Sequence, residues 1–262
     1  MTTDRPASAR IYNYLLGGTH FFPQDQAVGD QLNGVAPFGR MARLNRDFLR
    51  FAVTTMARRG IRQFVDLGSG IPSAGTVHEV AKAIAPDTTV VYVDNDPIAL
   101  AYSREILAAN RNADIVDGDL RDPATILGAP QIRRLVDLGA PVGLLLLGVV
   151  QYIPDSDDPA GLIGRYLDAL APGSMLAVTH FTQDNNEAEM AAAVEFFART
   201  ASPMTPRRHA AVAALVAGLD LLPPGVEFTA RWLPHDEGDE GDEDDEPQRC
   251  GHYALIASKP GL

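Results

Sequence analysis

Three short clusters hold the residue types and spacings with which this chain could do chemistry. Asp66-Leu-Gly-Ser-Gly70 sets two glycines behind a carboxylate. The glycines let backbone approach a ligand, and free amides at a helix start favour a carboxylate or phosphate. Asp94 ends the run Thr89-Val-Val-Tyr-Val-Asp94, in register to accept from both hydroxyls of a ribose. Gly118-Asp119 ends a third run, with Asp119 placed to accept from an exocyclic amine and Leu120 to pack on a base. Gly-x-Gly after a strand is also plain turn chemistry, so the glycines alone say little. The three clusters together describe a nucleoside pocket.

The sign of the charge narrows the nucleoside. The dinucleotide fingerprint G-x-G-x-x-G wants Gly or Ala at its sixth position, where this chain has Ser73, preceded by Pro72. Asp66 beside a pyrophosphate would be repelled. Beside the ammonium of an amino acid it is favourable, and this prefers S-adenosylmethionine over NAD.

The elements that must position these clusters follow from periodicity. The first third reads as helical: Ala9 to Leu16, Pro23 to Val35, then Arg40 to Arg59 with Met41, Leu44, Phe48, Phe51 and Val53 at helical spacing. Strands are predicted at 61–66, 89–94, 113–116, 142–148 and 175–180, with helices at 73–85, 97–110 and 158–170. That alternation implies parallel βαβ units and an α/β, doubly wound sheet. Two helices, 186–200 and 206–219, then lead to strands 226–233 and 252–258, which lack a helix between them and should be antiparallel. The expected fold is a mostly parallel seven-stranded sheet with a terminal antiparallel hairpin and an N-terminal helical extension. The expected organisation is a helical cap over residues 1–60 and a cofactor-binding domain over 61–262.

Composition limits the classes of function. The chain has 262 residues, 46% of them hydrophobic, enough for a sizeable core. Its formal charge of -12 comes mostly from nine carboxylates between Asp236 and Glu246, and the remainder holds 25 acids against 22 bases. The run reads as a solvated, disordered loop over 235–247 in the hairpin connection, without the ligand order of a calcium loop. Its deletion is expected to leave cofactor affinity nearly unchanged. No basic field for nucleic acid is expected, nor any membrane span, since Ala140 to Val150 is too short. The lone Cys250 fits a reducing, cytoplasmic setting.

Together the motifs resemble a class I, Rossmann-like S-adenosylmethionine-dependent methyltransferase. More narrowly, the chain is similar to an actinobacterial family of such enzymes first catalogued as a domain of unknown function. The resemblance runs through Ala9-Arg-Ile-Tyr-Asn-Tyr-Leu-Leu-Gly-Gly18, Asn45-Arg46-x-Phe48, Phe64-Val-Asp-Leu-Gly-Ser-Gly-Ile-Pro-Ser-Ala-Gly75, Val77-His-Glu79, Tyr92-Val-Asp-Asn-Asp-Pro97, Gly118-Asp-Leu-Arg-Asp-Pro123 and Tyr152-Ile-Pro-Asp155. It implies that Asp66, Gly68, Ser69 and Gly70 surround the methionine portion of the cofactor. Asp94 would hold the ribose with Asn95 alongside, Asp119 the adenine amine and Leu120 the ring. Gly148 and Val149 would face the sulfonium, and Tyr14 with the Gly17-Gly18 turn would cap the pocket. The product would be S-adenosylhomocysteine.

The acceptor leaves no motif. In-line methyl transfer needs mainly placement of the nucleophile, and a general base only if the acceptor must lose a proton. His20, Tyr152 and His180 are the candidates for that base. No metal is expected, because His209, His235 and His252 lack ligand spacing. The leading expectation is transfer to an oxygen or nitrogen of a small-molecule acceptor. Gly148-Val-Val-Gln-Tyr152 in place of Pro-Pro-aromatic argues against a DNA amino-methyltransferase, and Cys250 without a preceding proline against a cysteine-dependent base methylase. Two alternatives stay open: a cofactor-binding regulatory protein without transfer, and an NAD-dependent oxidoreductase.

Overall fold

The computed structural model describes residues 5–72, 75–200, 202–234 and 250–261. Ser73 and the acidic connection over 235–247 lie outside the described residues. Three helices lead the chain, α1 (Ser8–Leu15), α2 (Pro23–Val35) and α3 (Phe38–Arg58). The alternation follows: β1 (Gln63–Leu67), α4 (Val77–Ile84), β2 (Thr89–Asp94), α5 (Pro97–Leu107), β3 (Ala113–Asp117), α6 (Pro123–Leu127), α7 (Pro130–Leu135), β4 (Gly143–Leu147), α8 (Pro159–Asp168) and β5 (Met175–Phe181). The last part holds α9 (Glu187–Phe197), α10 (His209–Ala214), β6 (Asp220–Leu221), β7 (Glu227–Phe228) and β8 (His252–Ser258).

The sheet runs β3-β2-β1-β4-β5-β8-β6, with β7 also on β8. Strands β1 to β5 are parallel, and β8 is antiparallel to β5 with His252 opposite Phe181. Chain order reverses at β1, which lies between β2 and β4, so the carboxyl ends there form the crevice in which such sheets bind ligands. The central strand β4, Gly-Leu-Leu-Leu-Leu, is apolar throughout because helices cover both faces.

The sheet has eight strands in place of the expected seven. The segment expected to form one strand over 226–233 pairs only at Glu227 and Phe228, then turns into a 3-10 helix over Thr229–Trp232. A further two-residue strand, β6, precedes it. Pro223 and Pro224 between them have no N–H to give to a ladder, so the edge is broken in two. Helix α10 is shorter than expected because the chain tightens into i→i−3 bonds from Leu215 to Leu219. The helices α6 and α7, each opened by a proline after Asp122 or Ala129, were not among the expected elements.

Packing explains where the site lies. One face of the sheet is covered by α6, α7 and α8 through Ile126, Ile132, Leu162 and Tyr166. The other is covered by α3, where Phe48, Ala52 and Met56 repeat at helical spacing, and by α4, where Val77 and Ala81 do. A third cluster joins Ile11, Leu32, Phe38 and Met41 of the leading helices to Phe181, Met190 and Phe197. It sits over the carboxyl end of β5 and roofs the crevice.

Candidate active site

Two loops interlock at the crevice. Gly68, at φ +72°, occupies backbone space that L side chains rarely adopt, and a Cβ there would come within 2.4 Å of Val149 on the loop after β4. The Gly70 N–H donates to Asp94 Oδ2 at 2.7 Å and the Asp96 N–H to Oδ1 at 2.9 Å, so the Asp94 carboxylate is fixed. Each of its oxygens keeps a further lone pair. Asp96 in turn caps α5 through the amides of Ile98 and Ala99.

These loops open on a cavity of about 650 Å³, the size of a site for a drug-sized ligand. Asp66, Gly68, Ser69, Gly70, Asp94, Asn95, Asp119, Leu120, Gly148 and Val149 all line it. Tyr166 of α8 donates to the Leu120 carbonyl at 2.8 Å and so anchors that loop. Asp119 is held by Arg121, whose Nε lies 3.0 Å from both carboxylate oxygens, and this hydrogen bonding keeps its carboxyl below the usual range.

Tyr14 is the exception. Its ring packs over Gly29 of α2 and against Phe21, and its hydroxyl bonds Asp30, away from the cavity. The Gly17-Gly18 turn is also outside the lining, with Gly18 pressed on Asn13, whose Oδ1 accepts from the His20 N–H. Tyr12, two residues before Tyr14 and about 200° round the helix, lines the cavity instead.

The electrostatics of the cavity are unbalanced. Asp66 is buried and has no hydrogen-bond partner among the described residues; burial pushes its carboxyl up to about 7, Arg46 opposes this and Asp94 adds to it. Arg46 of α3 is 9% exposed and forms no salt bridge among the described residues; its Nε is buried without a hydrogen bond, and the group lies 5.7 Å from the Tyr12 ring centroid. Ser69 Oγ and Gln151 Oε1 are buried and unpartnered too, and all three residues line the cavity. Groups so disposed call for a ligand with both a cation and an anion, since buried polar atoms are otherwise paired.

The chain matches the S-adenosyl methyltransferase family over residues 1–260. It belongs to that family. A DUF574 family protein of Streptomyces avermitilis is 37% identical, with 98% of this chain and 99% of that one covered and a TM-score of 0.92. A candidate methyltransferase of Thermobifida fusca is 34% identical, covering 99% and 97%, with a TM-score of 0.91. The N-methyltransferase NodS of Bradyrhizobium japonicum, in complex with S-adenosyl-L-homocysteine, shares the fold at 12% identity and TM-score 0.51, covering 96% and 100%. No curated protein matches. The chain is thus an S-adenosylmethionine-dependent methyltransferase with a Rossmann-like sheet.

In the methyltransferase the expected base candidates fare unequally. His180 is buried: its Nδ1 donates to the Phe181 carbonyl at 2.8 Å, and its Nε2 accepts from Arg207 Nη1 at 2.8 Å, because a guanidinium can only donate. Burial holds its pKa down to about 3, and neither nitrogen is left for an acceptor. Tyr152 lines the cavity, but burial raises its pKa and keeps the hydroxyl protonated. His20 packs edge-on against Tyr102, with ring centroids 4.1 Å apart, and lies outside the lining.

Sequence reasoning missed Asn45, Arg46 and His252 as lining residues. Asn45 ties α3 to the sheet, accepting from Thr179 Oγ1 at 2.6 Å and donating to Tyr12 at 3.0 Å. The Asn45-Arg46 pair was visible as a motif. Nothing in a helical stretch told which of its polar residues faced a ligand.

Proposed function

We propose that this methyltransferase moves the methyl group of S-adenosylmethionine to an oxygen or nitrogen of a small molecule in a cytoplasmic setting. When bound, the cofactor supplies an electrophilic methyl on a sulfonium. Asp66 would take its ammonium and Arg46 its carboxylate; Ser69 and Gly70 border that portion. Asp94 would accept from the ribose hydroxyls with Asn95 at the mouth, Asp119 from the adenine amine, and Leu120 would pack on the ring. Gly148 and Val149 would face the sulfur.

The observation that carries this reading is the presence in one cavity of buried Asp66, which has no hydrogen-bond partner among the described residues, and of Arg46, whose Nε is buried without one. A zwitterionic amino-acid group answers both, where a pyrophosphate would answer only Arg46. A small acceptor is supported by the apolar roof of Ile11, Phe38, Phe181 and Phe197 over the crevice. The test is calorimetry of S-adenosylmethionine, S-adenosylhomocysteine and NAD with the native chain and Asp94→Ala, followed by an acceptor panel. Binding of both adenosyl compounds but not NAD, weakened at least tenfold by the substitution, is expected. Tighter binding of NAD would sink the reading.

A further inference from the structure

The cavity has a second end that the cofactor residues do not use. Phe38, Phe181, Phe197 and Ile11 form one apolar cluster, and Tyr152 packs against it with its ring 5.9 Å from that of Phe197. None of these side chains is charged. His252, at the start of β8, lines the same cavity, is buried and lies ring on ring with Phe181 at 3.9 Å. It stands two strands from β4, or about 10 Å along the sheet at the usual strand spacing. An aromatic acceptor spans such a gap.

The imidazole is held in one form. Its Nδ1 lies 3.1 Å from the Cys250 carbonyl, which only accepts, so Nδ1 carries the hydrogen. Burial lowers its pKa to about 4, which leaves Nε2 as a bare acceptor at neutral pH. A polar acceptor atom in an aromatic wall is a specificity element, because a ligand that reaches it without a donor leaves it unpaired.

We propose that this end of the cavity binds an uncharged aromatic hydroxyl compound whose O–H donates to His252 Nε2, with the ring filling the gap toward the loop after β4. This rests on the methyl transfer proposed above. The hydroxyl held by His252 is thereby the recognition group at the far end of the acceptor, and the atom that receives the methyl group lies at the other end of the ring system.

The test uses the whole chain loaded with S-adenosylhomocysteine, with 2-naphthol and 2-methylnaphthalene as probes of equal shape that differ in the O–H. By calorimetry the native protein is expected to bind 2-naphthol at least tenfold more tightly. His252→Phe should bring the two within about twofold while S-adenosylhomocysteine affinity stays unchanged. Equal binding of both probes by the native protein, binding of neither, or a preference that survives His252→Phe would overturn the proposal. The native comparison decides even if the variant does not fold. Failure of S-adenosylhomocysteine to bind the native chain would instead overturn the cofactor reading on which the proposal stands.

Discussion

Arg10 and Asp25 form an ion pair of 2.7 Å in which the side chains are 6% and 0% exposed. The same guanidinium reaches Asp96 at 3.3 Å. One residue of α1 therefore ties α2 to the helix cap that also positions Asp94, and the leading helices are fastened to the cofactor crevice by charge as well as by packing. Removing one partner of a buried pair costs roughly 3–5 kcal/mol. Asp25 keeps bonds from the Ala7 and Phe22 amides, so Arg10→Met should cost about 3 kcal/mol. For a chain of this size that lowers Tm by about 6–12 °C. Arg10→Met with Asp25→Asn should recover part of it, read by thermal melts. A single variant as stable as the native protein would show that the clamp is not an energetic one.

Asp66 makes cofactor binding depend on pH. With its carboxyl at about 7 in the empty cavity, it is protonated below that pH and must ionise to meet an ammonium. Affinity for S-adenosylmethionine should rise toward tenfold per unit between pH 5 and 7 and then level. Binding at pH 6 should release protons, visible as heats that vary with the buffer. Stability runs the other way: a raised folded-state pKa gives a contribution present near pH 4 and lost as pH rises through 7. The Tm advantage of Asp66→Asn over the native chain should therefore grow from pH 5 to 8 while its cofactor affinity falls. A pH-independent affinity in the native chain would show that Asp66 does not face the ammonium.

How much of this was legible in the sequence depends on what each signal encodes. Strands β1 to β5 could be read because parallel strands buried on both faces are apolar runs, and Asp66, Asp94 and Asp119 because they end those runs. Tyr14 misled because an aromatic in a short helix carries no label of direction; its neighbour Gly29, which receives its ring, was the unread half of that contact. Arg46 and His252 were hidden for a related reason. Their meaning depends on a buried Nε left without a hydrogen bond or on one particular carbonyl, and these are facts of tertiary packing. The broken edge at β6 and β7 was readable from Pro223 and Pro224, which remove ladder donors.

Arg46 can be separated from a purely structural role by its effect on Asp66. Its charge opposes the rise of the Asp66 pKa. Arg46→Met should weaken S-adenosylhomocysteine binding by about 10- to 100-fold, the scale of one charge-assisted contact, and should also move the pH midpoint of binding upward. A loss of affinity with an unmoved midpoint would place Arg46 in the packing alone.

Arg207 and His180 supply the last prediction. Arg207 is 5% exposed and donates to the Val150 and Ile153 carbonyls, to Asp155 and to His180 Nε2. It thereby fixes the loop after β4, on which Val149 and Tyr152 face the cavity. Because the folded-state pKa of His180 is depressed from 6.5 to about 3, its neutral form contributes stability that is complete above about pH 6.5 and is lost as pH falls toward 3. Nitrogen NMR should show His180 as the Nδ1-protonated tautomer, unchanged between pH 8 and 5. Arg207→Lys, which cannot make the forked set of bonds, should lower Tm and leave S-adenosylhomocysteine affinity within about threefold. Titration of His180 near pH 6.5 in the native protein would contradict the assigned hydrogen bond and reopen this residue as a base.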